Sequence, residues 1–168
     1  MWGDSERQVY ALVMGARVPD LPARLQGADV RDHDCLIPGA LSPEDSLRAP
    51  YLVHLKPEVE FTEWLLFKAS AELGEWGVLA LSPARRLVLR GHFRSLLQAK
   101  LPEGQTIDFD CMDPAVVRAV LPLFDGAGLQ AFMGPVQCFV APGAQEWTHW
   151  QLALGQVQTR QVPLSAAA

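Results

Sequence analysis

One stretch, residues 76–124, constrains the fold more than any other part of the chain. It opens on the apolar run Val78-Leu79-Ala80-Leu81, which stops at Ser82-Pro83. A short continuous apolar run of this kind fits a strand buried on both faces. Pro83 stands where a first helical turn begins, with Ser82 as its cap. Leu89, Phe93, Leu96 and Leu97 then recur at i, i+4, i+7 and i+8, one face of a helix predicted over 84–99. Pro102-Glu103-Gly104 breaks it, and a second strand is predicted over 105–111. Asp113-Pro114 opens a further helix over 114–124, with Val117, Val120, Leu121 and Phe124 on one face. Strand, helix, strand, helix is the grammar of an α/β layer. The expected fold class is therefore α/β, a mixed or mainly parallel central sheet flanked by helices, with a short C-terminal extension.

The rest of the chain supplies further elements. Residues 8–14 and 51–55 read as buried strands. Pro19 to Gln26 reads as a short helix stopped by Gly27, and residues 28–50 as mostly irregular. Within them, Cys35-Leu36-Ile37 is a short extended piece and 43–47 a helical turn. A helix over 58–73 carries Phe61, Leu65, Ala69 and Leu73 on one face. Trp64, Leu66 and Phe67 fall off that stripe, so this helix is either sandwiched in the core or keeps a side for a partner. After Phe124 come a turn at Asp125-Gly126, a short helix marked by Leu129, Phe132 and Met133, and strands over 136–140 and 147–154. Residues 1–7 and 157–168 are expected to be loose. The whole, 1–168, reads as one domain.

Composition excludes several classes. Hydrophobic residues at 49% and charged residues at 20% mark a globular chain, not a disordered one. The net charge of −5 and the lack of a Lys/Arg run argue against nucleic acid and anionic lipid. No apolar run reaches the length of a membrane span and no signal segment opens the chain, so a cytoplasmic location is expected. Cys35, Cys111 and Cys138 are odd in number and widely spaced, which suits reduced thiols.

No catalytic set emerges. Asp113 is either a helix cap, with Pro114 in the first turn, or a carboxylate at the strand-to-helix junction where active sites often lie. His33-Asp34-Cys35 lacks a nucleophile context. His33, His54, His92 and His149 are scattered, so no metal is expected. Phosphate-binding glycine loops are absent, Ser82 is in no GxSxG elbow, and no cofactor is expected. Arg85, Arg86, Arg90 and Arg94 either dock an acidic partner or form a solvated helix face. Five Trp, at 2, 64, 76, 147 and 150, supply candidate interface anchors or core.

GEWGVLALSP, HFRSLLQAKLPEGQ and FDCMDPAVVRAVLPLF, in that order and spacing, resemble the type VI secretion effector chaperones or adaptors, catalogued as domain of unknown function 4123. The matching positions are Ser82, His92-Phe93-Arg94, Glu103-Gly104 and Asp113-Pro114, and VYALVMGA and RAPYLVHL agree. The resemblance covers about residues 8–145. It implies a non-enzymatic cytoplasmic chaperone or adaptor that binds a toxic effector and helps load it on the VgrG spike, with or without a PAAR cap. The chain departs from the family pattern at Asp110 and Ala115, where an arginine is frequent, and in a short C-terminal lobe. The expected contact surface is about 125–155 plus the uncovered side of the 58–73 helix, with Trp147, Trp150, Phe132 and Trp64 as anchors. The alternatives are a small hydrolase or transferase with a site near Asp113, or a subunit of another bacterial assembly.

Overall fold

The structure is a computed structural model, and it describes residues 7–27, 30–101, 103–153 and 155–164. Trp2 and Leu154, the break at Pro102, and the outermost parts of the two ends expected to be loose (1–6 and 165–168) lie outside the described residues.

A seven-stranded sheet organises the chain, in the order β2-β3-β1-β4-β7-β8-β9. The strands are β1 (Gln8–Met14), β2 (His33–Cys35), β3 (Pro50–Leu55), β4 (Gly77–Ser82), β7 (Cys138–Ala141), β8 (Glu146–Ala153) and β9 (Gln156–Pro163). Every pairing between them is antiparallel. A separate ribbon joins β5 (Gln98–Lys100) to β6 (Thr106–Asp108).

This overturns the expected mixed or mainly parallel sheet. The apolar runs of β1 and β4 resemble those of parallel strands because such strands are buried on both faces. Both faces are buried, but by helices packed on either side of an antiparallel centre. One layer packs Leu21, Leu25, Phe61, Leu65, Leu66 and Ala69 against Val9, Ala11, Val13, Val53, Leu79 and Val140. The other packs Leu89, Phe93, Val117, Leu121, Leu129 and Phe132 against Tyr10, Leu12, Leu52, Val78, Ala80 and Phe139. The strand expected over 105–111 as a central member is also corrected. Thr106, Ile107 and Asp108 are exposed in the ribbon. A strand carrying Asp108 and Asp110 has one apolar side at most and cannot sit between two helical layers.

The helices are α1 (Leu21–Leu25), α2 (Pro43–Arg48), α3 (Glu60–Glu63), α4 (Ser70–Glu72), α5 (Arg86–Ser95), α6 (Pro114–Val120) and α7 (Gly126–Met133). A π-helical stretch, Trp64–Ala69, runs on from α3 into α4. Ser70 Oγ donates to Leu65 O at 3.3 Å and accepts from the indole N–H of fully buried Trp76 at 2.9 Å. Trp76 is thus core, one of the five tryptophans accounted for. Beside it, Gly77 lies so close to the Leu12 carbonyl that any Cβ would collide with it.

Two further expectations are corrected. Ser82 does not cap α5: the helix starts at Arg86, after an extended Arg85 with no side-chain cap. The helix expected over 84–99 ends at Ser95, because 98–100 is drawn into the ribbon. Residues 157–163, expected to be loose, belong to β9, which pairs with β8 along eight positions from Gln156 to Pro163 through a turn at Gly155, whose φ of 76° suits glycine.

Candidate partner-binding surface

The sequence-singled positions on α5 point inward, toward the chain itself. Arg86, Arg90 and Arg94 recur every four residues, so they share one face of the helix. Arg90 donates to Asp34 Oδ1 at 3.0 Å and Arg86 pairs with Asp34 Oδ2. Arg86 also donates to His33 O at 3.2 Å, and Arg94 to Cys35 O at 2.9 Å and Leu36 O at 3.1 Å. The arginine face was expected to be solvated or to meet an acidic partner. It closes on β2 instead.

The hydrogen-bond register shows what those arginines do. His54 N donates to Asp32 O and Leu36 N to Pro50 O, and Asp34 lies opposite Leu52. Antiparallel bonding alternates along a strand. Residues 32, 34 and 36 therefore face β3, and His33 and Cys35 turn their carbonyls outward. These outward carbonyls are the ones that Arg86 and Arg94 cap. The β2 edge of the sheet is sealed by guanidinium groups.

The remaining motif residues are also pins between distant segments. Ser82 is fully buried; its Oγ donates to Pro135 O at 2.6 Å and accepts from Ala84 N at 3.0 Å. Half-buried His92 donates from Nε2 to Phe132 O at 3.0 Å. Burial pushes the His92 pKa down, opposed by that hydrogen bond. Both side chains thus hold the turn that carries α7 into β7. Asp113 caps α6, accepting from Ala115 N at 2.8 Å, while its other oxygen meets Arg17 at 2.7 Å. Pro114 is buried in the first turn of α6. Arg118 pairs with Glu75 at 2.5 Å nearby, and Arg17 donates to Glu75 O.

The four expected anchors separate into two pairs. Phe132 and Trp150 are core, 2% and 3% exposed, on the α5–α7 side of the sheet. Phe132 packs edge-on or tilted against Phe109, Phe124 and Phe139. In this structure neither presents a surface. Trp64 and Trp147 are half-buried on the opposite layer. The Arg24 guanidinium lies 4.2 Å over the Trp64 ring, and Phe61 tilts against it. Trp147 sits opposite Val162 on β9, and its indole nitrogen is buried without a hydrogen-bond partner among the described residues. Phe67, from the same helical stretch as Trp64, is 63% exposed. Sequence reasoning marked it only as lying off the apolar stripe.

A polar cluster went unread in the sequence. His54 stacks on Tyr10 with ring centroids 4.9 Å apart, and its Nδ1 lies 3.7 Å from Asp32, which Lys56 meets at 3.2 Å. Burial lowers the His54 pKa against the pull of Asp32, while the Lys56 hydrogen bond lowers that of Asp32. Among the described residues no group of three or more His, Cys, Asp or Glu is placed to hold a metal ion. None of the described helices is long and apolar enough to cross a membrane.

A family model described as domain of unknown function (DUF4123) matches residues 9–131. The match runs from β1 into α7, and β7, β8 and β9 lie beyond it. No curated protein and no solved structure matches the chain.

Proposed function

The chain belongs to the DUF4123 family, and on that premise we propose that it is a non-enzymatic chaperone or adaptor of the type VI secretion system. It binds a toxic effector in the cytoplasm and helps load it on the VgrG or PAAR spike. The observation that carries this reading is the family match over 9–131, which contains the Ser82, His92–Arg94 and Asp113-Pro114 motifs on which the resemblance rests. The structural roles of those motifs favour a binding scaffold: each one fixes a backbone segment.

Its contact surface is the outer side of the helical run from α3 to α4. Phe67 is a large exposed aromatic there, and Trp64 is half-exposed under Arg24, a pairing of aromatic and guanidinium groups typical of interface anchors. The test is co-expression with candidate type VI effectors from its gene neighbourhood, followed by pull-down and effector solubility. A stable complex is expected, weakened about 30-fold by Phe67→Ala with the fold intact. An effector equally soluble and secreted without this chain, and no complex, would contradict the reading. Normal binding by a folded Phe67→Ala, Trp64→Ala double variant would remove only the surface.

A further inference from the structure

We infer that β9 is a self-complementary edge through which two copies of this chain join their sheets across a twofold axis. The inference is independent of the adaptor reading. Among the described residues, nothing pairs with the outer side of β9. Leu164 N donates to Gln145 O at 2.9 Å, and the two lie in register with the β8–β9 ladder. By the alternation of antiparallel bonding, Gln156, Gln158, Arg160 and Val162 face β8. Val157, Thr159 and Gln161 therefore turn both their N–H and their C=O outward. Pro163, next in that series, has no N–H to offer.

Those groups fix one register. If Thr159 lies opposite Thr159 of a second copy, Val157 meets Gln161 and Gln161 meets Val157. The outward N–H and C=O groups of Val157, Thr159 and Gln161 are then all used, in about six main-chain hydrogen bonds. On one face the central pair is Thr with Thr, a favourable cross-strand combination. On the other, Arg160 stands opposite Gln158, so the one ionisable side chain of β9 meets a neutral acceptor. Shifting the axis to Arg160 sets two guanidinium groups against each other and matches Val157 with Pro163. Shifting it to Gln158 leaves Gln161 beyond the ladder. The faces of β9 are mostly polar, so the backbone carries the contact and the strand's own sequence supplies the complement. Such an interface is smaller than those of permanent dimers, which makes the association weak and concentration-dependent.

Sedimentation of the full chain tests this. The weight-average mass should rise from 18.5 kDa toward twice that value across roughly 1 to 500 µM. Thr159→Pro removes an outward N–H without touching the bonds to β8, and should stay monomeric with an unchanged circular dichroism spectrum. Thr159→Cys should cross-link to a dimer under mild oxidation, because directly opposed Cα atoms about 5.5 Å apart lie within disulfide reach. Gln161→Cys, opposite Val157, should not. This second pair of variants decides the matter even if the proline variant fails to fold. A wild-type chain monomeric throughout, a dimer that survives in folded Thr159→Pro, or cross-linking of Gln161→Cys as efficient as that of Thr159→Cys would overturn the inference. So would a chain that is monomeric but loses a foreign strand partner in Thr159→Pro.

Discussion

The two edges of the sheet are treated in opposite ways. At β2 the edge is three residues long, and its outward carbonyls accept from Arg86 and Arg94, with Asp34 gripping the helix that carries them. At β9 the edge is eight residues long and its outward carbonyls meet no donor among the described residues. Unpaired edges are templates for further strands, and short, charged or covered edges prevent that. The β2 edge lies inside the family match and the β9 edge outside it. The lesson is that side chains repeated every turn of a helix can close a sheet edge as a neighbouring strand would.

The largest expected effect comes from breaking the sealed edge. Asp34→Ala leaves Arg86 and Arg90 facing each other without a carboxylate. It should cost about 2 kcal/mol, given the partial exposure of all three groups, and lower the thermal midpoint by roughly 4–8 °C. Arg94→Ala removes two bonds to carbonyls and should cost about 1.5 kcal/mol, measured by urea unfolding. Arg94→Lys should recover less than half, since an ammonium lacks the planar fork that reaches both oxygens.

Away from both edges, Asp113→Ala should cost about 1 kcal/mol and Asp113→Asn far less, because asparagine also caps. Loss of effector binding or of any activity in a stable Asp113→Asn chain would point to a role for the carboxylate beyond the cap.

A smaller effect is expected from pH. Burial lowers the pKa of His54, His92 and His149, the last also pressed by Arg160. A histidine that resists protonation when folded binds fewer protons than its unfolded form. Stability is therefore fully present above the ordinary histidine value and is lost as pH falls from about 6.5 toward the folded values. The thermal midpoint should be lower at pH 5.5 than at pH 7.5. An unchanged midpoint would mean that these rings are solvated. The smallest effect belongs to the open edge: Arg160→Ala should change monomer stability by less than about 0.5 kcal/mol.

Local pattern made several elements legible. β4 was readable because Val78 to Leu81 is uniformly apolar, and the α6 cap because Asp-Pro follows a strand signal. The direction of the strands was not, since helices on both faces give an antiparallel strand the composition of a parallel one. Arg86 and Arg90 act through Asp34, and Arg94 through the carbonyls of Cys35 and Leu36, all more than fifty positions away, and periodicity carries no information on those pairings. Trp150 and Phe132 have the residue types of interface anchors yet lie in the core, because residue type alone does not say which face of β8, or which side of α7, is buried. β9 was missed because QVQTRQVP is too polar to announce a strand. Its backbone pairs with β8 while most of its side chains remain in solvent.

Site-resolved amide hydrogen exchange, on the chain dilute enough to be monomeric, tests the contrast between the edges most directly. In β9, Gln158, Arg160 and Val162 should be protected and Val157, Thr159 and Gln161 should exchange freely. In β2, Asp34 should be protected in the wild type and lose that protection in Arg94→Ala, with the β9 pattern unchanged. Even protection along β9 in the dilute monomer, or a β2 whose protection is indifferent to Arg94, would contradict the account.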